Sequence, residues 1–256
     1  MDEDKDEKIS ALLIVYNEIL HIREVLENVA FADQIIVVDS FSTDGTVEVI
    51  KKFPKVQLYQ NPFENFTDQR NFAISKANHN WILFIDADER LPQSTIAEIK
   101  IEIQKSDAHA AYFIRRQIYF QNKRLRFGGR NKDKIERLFQ KDKARYKKGR
   151  LVHEKLDVHG TVGILQNQMY HYPYKNFSHI EQKRKQYAKL KAKEMHHRGE
   201  VTYAVWFAVK GLYKFIRQYI VRLGFLDGIC GLVLAYLNAK YVYMRHVYVL
   251  RIRSVS

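Results

Sequence analysis

The sequence predicts an α/β fold with an open, mostly parallel sheet and helices on both faces, followed by a basic amphipathic helical extension. Three patterns carry that reading. Short apolar runs alternate with helix-period segments through roughly the first 90 residues. Those runs are apolar at nearly every position, as expected of strands covered on both faces. The last third of the chain turns helical and strongly basic.

Taken in order, Ile9 to Tyr16 predicts a strand, polar Asn17 and Glu18 a loop, and Ile22, Val25, Leu26 and Val29 one face of a helix. Gln34 to Val38 is a second strand, closed by Asp39-Ser40-Phe41-Ser42-Thr43-Asp44-Gly45. A helical pattern resumes from Thr46 to Phe53, with Thr43 or Asp44 suited to cap it. Val56 to Tyr59 predicts a third strand, Asp68 to Ala77 a third helix, and Trp81 to Ile85 a fourth strand running into Asp86-Ala87-Asp88-Glu89. Beyond it the pattern changes. Ala111 to Phe120 and Lys123 to Phe127 read as a β-ribbon around Gln121-Asn122, with Gly128-Gly129 as a break. Arg137 to Phe139 and Thr161 to His171 read as further strands, and from Phe177 onward the pattern is helical. The expected division is a first domain over residues 8–174 and an extension over 175–256.

Bulk composition narrows the functional classes. With 256 residues, 46% hydrophobic and 13% aromatic, the chain can bury a full core and is not a disordered tail. Its single cysteine, Cys230, excludes an internal disulfide and a cysteine-based zinc cluster. The acidic start lacks the basic and apolar regions of a secretory signal, so a cytoplasmic setting is expected. The net charge of +14 is unevenly placed: Tyr174 to Ser256 holds 16 basic and 4 acidic residues. Such an end attracts polyanions, either nucleic acid or an anionic membrane face.

In an open α/β sheet, ligands bind beyond the carboxyl ends of the strands. The polar residues there are Asn17 and Glu18, Asp39, and Asp86 with Asp88. No Gly-x-Gly-x-x-Gly follows the first strand, which argues against a dinucleotide-binding domain. Asp86 and Asp88 stand two apart and project to one side as the chain leaves its strand. Two carboxylates so placed suit Mg²⁺ or Mn²⁺, which keep open positions for phosphate oxygens. Taken alone, an Asp-x-Asp is more often a turn after a buried strand.

The segments Leu13 to Glu18, Ile35 to Ser40, Ser42 to Thr46, Gln69-Arg70-Asn71 and Ile82 to Glu89 resemble the family 2 glycosyltransferases of GT-A type in order and spacing. Downstream, Arg137-Leu138-Phe139, Val152-His153-Glu154, the His171 region and Gly224 to Gly228 resemble the lipopolysaccharide inner-core branch of that family. The resemblance implies a nucleotide-sugar site. Tyr16 and Glu18 would border the nucleoside, Asp39 would hydrogen-bond base or ribose, Arg70 would meet the diphosphate, and Asp86 would serve both nucleotide and metal with Asp88. Glu154 matches the position of the acidic base, although His-Glu replaces the common Glu-Asp, and Asp157 and Asp107 are reserves. Uridine is the commonest base in the resembling family. His171 ends an apolar strand, where a packed histidine is the commoner reading and an approach to the metal or diphosphate the alternative, whereas His196 and His197 read as surface residues.

In the extension, Trp206, Val209, Tyr213, Ile216, Ile220 and Leu223 form an apolar helical stripe and Lys210, Lys214 and Arg217 a basic one. That composition suits a helix lying in a membrane interface. The longest uncharged run, Gly228 to Ala239, is too short to span a bilayer. No helix-turn-helix spacing, RNP-like strand or zinc finger supports nucleic-acid binding.

The expected activity is therefore metal-dependent, inverting transfer of a hexose from a UDP-sugar or similar donor to a membrane-anchored saccharide, such as lipopolysaccharide core. It would take place at the inner face of the cell membrane. Transfer to a polyprenyl phosphate and a non-catalytic nucleotide-sugar-binding scaffold are the alternatives.

Overall fold

The computed structural model describes residues 6–120, 123–129, 133–147, 156–174, 176–200 and 203–253. The chain divides into two compact units, Met1–Arg116 with Asp133–His171, and Gln117–Lys132 with Tyr172–Ser256.

The first unit begins with the alternation that the apolar runs predict. Strand β1 (Ile9–Val15) is followed by α1 (Ile22–Asn28), β2 (Gln34–Asp39), α2 (Thr46–Ile50), β3 (Val56–Gln60), α3 (Phe66–Ser75) and β4 (Trp81–Phe84). β1 pairs in parallel with β2 and β4, and β2 in parallel with β3. Successive residues of these strands bury opposite faces. Ala11, Leu13, Ile35, Val37, Trp81 and Leu83 join one core with Val25, Leu26, Ile96 and Ile99. Leu12, Ile36, Val38, Ile82 and Phe84 join a second core with Ala73, Ile74 and Tyr146. Both faces are thus covered, which is why these strands lack polar alternation. At about 1.5–3 kcal/mol per fully buried aliphatic side chain, this double burial is the main force holding the sheet edge rigid.

After β4 the chain forms β5 (Glu89–Arg90), α4 (Gln93–Ile103), β6 (Ala111–Phe120), β7 (Lys123–Leu125), β8 (Lys134–Gln140), β9 (Ala144–Tyr146), β10 (Leu156–Val158) and β11 (Val162–Tyr174). The larger sheet runs β3-β2-β1-β4-β8-β6-β11-β5, with β7 on β6. Its second half is antiparallel where β8 meets β4 and β6 and where β5 meets β11. The ribbon expected at 111–127 is the antiparallel β6–β7 pair, in which Ile118 faces Leu125.

The second unit is completed by α5 (Phe177–His197), α6 (Ala204–Ile216) and α7 (Ile229–Arg253). The helix expected to run unbroken from Trp206 to Leu223 does not. α6 ends at Ile216, a π-helical turn covers Arg217–Val221, and Leu223 turns left-handed at φ 56° before a 3₁₀ turn at Gly224–Asp227. The turn is tight: a Cβ on Gly231 would lie 1.8 Å from the Gly224 carbonyl oxygen. Asp227 fixes it from below by accepting from the backbone N–H groups of Arg126 and Phe127, at 3.0 and 3.1 Å. Among the described residues no helix is long and apolar enough to cross a membrane.

Candidate active site

The loops after β1 and β2 are tied into one structure at the carboxyl edge of the sheet. Asn17, left-handed at φ 56°, donates its backbone N–H to the Ser42 hydroxyl at 2.8 Å, and its side-chain oxygen accepts from Thr43 N–H at 2.8 Å. Glu18 N–H donates to Thr46 Oγ1 at 2.9 Å. Asp44 accepts from the backbone of Ile19 and Thr46, both at 3.1 Å. Its bond to Thr46 N–H gives part of the expected cap, while the N-cap position itself is Gly45, whose φ of 90° suits a residue without Cβ. Asp39 is buried, and its carboxylate accepts from Ser42 N–H at 3.0 Å, from the Ser42 hydroxyl, and from the Gln60 amide at 3.3 Å. In this state Asp39 orders the loop from beneath, and Tyr16 and Phe41 stand exposed at the strand ends.

Asp86 and Asp88 sit just past β4, and their surroundings differ. Asp86 receives Arg137 Nη2 on Oδ2 and Arg70 Nη2 on Oδ1, the latter at 3.3 Å. Arg137 is wholly buried, and the same Nη2 also donates to Glu89 Oε1 at 2.8 Å. Glu89, equally buried, accepts from Asp86 N–H at 3.1 Å and lies 3.5 Å from Arg116, which is paired with Asp133 at 2.9 Å. Burial pushes the Asp86 carboxyl up, but the charges of Arg137 and then Arg70 outweigh it and hold the group well below the usual carboxylate range. Burial likewise opposes the Arg137 charge, and Asp86 and Glu89 more than restore it.

Arg70, expected as a diphosphate ligand, is mostly buried. Its guanidinium carbon lies 4.5 Å from the Phe84 ring centroid and 5.3 Å from that of Tyr146, so cation–π contacts hold it flat behind Asp86. Asn71 secures this wall by donating to the Tyr146 carbonyl at 2.9 Å and accepting its N–H at 3.3 Å.

Asp88 is met by a histidine. His171 on β11, in register with Glu89 on β5, places Nε2 3.4 Å from Asp88 Oδ2, with the two side chains 14% and 24% exposed. His171 Nδ1, and Nε and Nη1 of Arg137, are buried without a hydrogen-bond partner. Among the described residues no three His, Cys, Asp or Glu side chains are gathered around one point. Carboxylate and imidazole at one partly open edge fit a divalent cation that takes its other ligands from phosphate and water. Glu154 and His153 lie outside the described residues. Of the reserve candidates, Asp157 pairs with Lys147 at 2.9 Å and Asp107 is exposed.

The sequence pattern carries no sign that Arg137 and Glu89 meet at Asp86, with Arg116 reaching Glu89 from beyond it. Arg137 was legible as a charged residue in a short predicted strand and as the first residue of the Arg137-Leu138-Phe139 motif, neither of which says what it pairs with.

A parallel half-sheet ending in paired aspartates, extended by antiparallel strands, is the GT-A arrangement of glycosyltransferases. Residues 10–194 match the model of glycosyl transferase family 2, and the chain belongs to that family. It is 28% identical over 246 residues to an uncharacterised glycosyltransferase of Rickettsia conorii, covering 91% of this chain and 86% of that protein. It is 26% identical over 254 residues to LpsC, a lipopolysaccharide core biosynthesis glycosyltransferase of Rhizobium meliloti, covering 93% of each. Among solved structures, S. aureus TarS 1–349 in complex with UDP matches 97% of this chain and 92% of its own length, with a TM-score of 0.51 and 15% identity, a likeness of fold alone.

Proposed function

We propose that this protein transfers a hexose, with inversion, from a UDP-sugar to a lipid-anchored saccharide of the lipopolysaccharide-core type, at the inner face of the membrane. One observation carries the donor half of this reading. Asp86 and Asp88 close β4 with Arg70, Arg137 and His171 around them, a concentration of charge suited to a nucleotide diphosphate. The UDP found with TarS favours uridine, and the kinship with LpsC over nearly the whole chain favours the acceptor.

In this reading Tyr16, Glu18 and the loop ordered by Asp39 border the nucleoside. Arg70, with 10% of its side chain exposed, meets the diphosphate, and the wholly buried Arg137 adds its positive charge from behind Asp86. Asp86 and Asp88, with His171 beside the latter, would hold Mg²⁺ or Mn²⁺. The ion would stabilise charge on the departing diphosphate. Glu154 takes the proton of the acceptor hydroxyl as its oxygen bonds to the sugar carbon and the diphosphate leaves from the opposite face. The exposed apolar and basic side chains of α6 support membrane association.

The test is a transfer assay with lipid-anchored core saccharide, Mn²⁺ and a panel of UDP-hexoses. One donor should give a product of opposite anomeric configuration. Transfer to a polyprenyl phosphate but to no saccharide would replace this reading.

A further inference from the structure

A left-handed backbone is disfavoured at a residue with a large side chain, because its Cβ crowds the following carbonyl oxygen. Phe41 adopts it, at φ 60°, while leaving 51% of its surface exposed. Asn17 is left-handed beside it, but asparagine tolerates that conformation, and its side chain is engaged with Thr43 N–H at 2.8 Å. Hydrogen bonds on both sides hold Phe41 in place. Before it, Ser40 donates its N–H to the Val15 carbonyl at 2.9 Å, and the Ser40 hydroxyl accepts from the Gln69 amide at 2.9 Å. After it, Ser42 donates its N–H to the Asp39 carboxylate at 3.0 Å, and the Ser42 hydroxyl accepts from Asn17 N–H at 2.8 Å. A disfavoured conformation persists where its surroundings over-determine it, and such residues gather at ligand sites.

The order of the strands says which part of a ligand this ring can meet. Phe41 follows β2, Asp86 and Asp88 follow β4, and β1 lies between those two strands, parallel to both. Neighbouring strands are 4.7–4.9 Å apart, so the carboxyl ends of β2 and β4 stand about 10 Å from each other. A nucleoside diphosphate with its phosphates beside the two aspartates covers that distance, with the ribose over the end of β1 and the base at the end of β2. Val15 and Asn17 are bonded to Ser40 and Ser42 respectively, so the same bonds that bracket Phe41 also bracket Tyr16. The rings that follow β3, Phe63 and Phe66, meet each other edge to face at 4.9 Å, and β3 ends one strand farther from the aspartates.

We infer that the Phe41 ring is the platform on which the nucleobase of the donor stacks, and that the left-handed turn is retained because it presents this ring to the ligand. The role deepens the nucleotide half of the proposed function and rests on it. Stacking on an aromatic face tolerates any base. Phe41 therefore supplies affinity for the nucleoside and leaves the choice of base to groups that hydrogen-bond its edge.

The test compares the full chain as wild type, Phe41→Ala, Phe41→Gly and Phe41→Tyr. UDP and inorganic pyrophosphate, each with Mg²⁺, are titrated by calorimetry, and thermal unfolding is followed without ligand. Alanine keeps the Cβ and loses the ring, glycine loses both, and tyrosine keeps both. UDP affinity should fall about tenfold in the alanine and glycine variants, the scale of one lost base–aromatic stack, and tyrosine should restore it. Pyrophosphate, which has no base, should bind all four proteins alike. Without ligand, the glycine variant should melt about 2–4 °C above the alanine variant as the left-handed strain is released. Wild-type UDP affinity in Phe41→Ala would overturn the platform. An equal fall in pyrophosphate affinity would also overturn it, because the ring would then be ordering the loop and not meeting a base. Equal midpoints for alanine and glycine would overturn the part assigned to backbone strain. Failure of the wild type itself to bind UDP would sink the proposed donor and this role with it, a result distinct from wild-type binding that survives loss of the ring.

Discussion

Replacing Arg137 with methionine keeps much of the side-chain volume and removes one charge that serves two acids. Arg137 Nη2 bridges Asp86 and the fully buried Glu89, so the variant leaves Glu89 with Arg116 at 3.5 Å and Asp86 with Arg70 at 3.3 Å. Breaking a buried pair from one side typically costs about 3–5 kcal/mol, because the remaining charge stays out of water. For a chain of this size that lowers the midpoint of thermal unfolding by about 6–20 °C. Urea unfolding of the wild type, Arg137→Met, Asp86→Asn and the double variant should give a coupling energy of at least about 1.5 kcal/mol. A pH series adds a signed check. The Asp86 carboxyl is lowered from 3.8 in the fold, so its stabilising contribution is complete above that pH and is lost as pH falls toward the folded value. The Asp86 part of the wild-type advantage over Arg137→Met should therefore be full near pH 7 and shrink below about pH 4. A variant within about 0.5 kcal/mol of wild type would refute the idea that this network is buried and charged.

Three further outcomes are expected. Asp88→Asn should abolish the Mn²⁺ dependence of UDP binding in calorimetry while the protein stays folded, and an unchanged dependence would remove Asp88 from the metal site. Glu154→Gln should leave donor binding intact and lower transfer by about a hundredfold, whereas full turnover would move the base to another residue, with Asp157 next to be changed. Gly231→Ala, which would stabilise an ordinary helix position by about 1 kcal/mol, should instead destabilise this protein by about 1–3 kcal/mol because its Cβ meets the Gly224 carbonyl. A raised unfolding midpoint would contradict the close approach.

The parallel half of the sheet was legible because β1, β2 and β4 are buried on both faces and therefore read as apolar runs with polar ends. That placed Asp86 and Asp88 at the strand edge without reference to any contact. What the sequence pattern does not encode is which distant residues meet there. Arg137 comes from β8, 51 positions after Asp86, and antiparallel insertion of β8 beside β4 is decided by side-chain fit across the sheet, not by local periodicity. Arg70 is singled out only by the family resemblance, because its helix stripe is weak, and it is the Phe84 and Tyr146 rings that draw it inward. The break of the basic helix at Arg217 was hidden for a similar reason. Its apolar spacing continues through the turn, while the close approach of Gly224 and Gly231 that forces the turn is a tertiary fact.

Thermal-shift measurement across nucleoside diphosphates and their sugars, with and without Mn²⁺, tests the central claim most directly. A donor at a hundred times its dissociation constant stabilises the fold by about 2.7 kcal/mol, or roughly 5–11 °C for a protein of this size. One uridine diphosphate sugar should give a shift of that order, dependent on the metal and lost in Asp88→Asn. An unchanged midpoint with every nucleotide, metal present or absent, would contradict it.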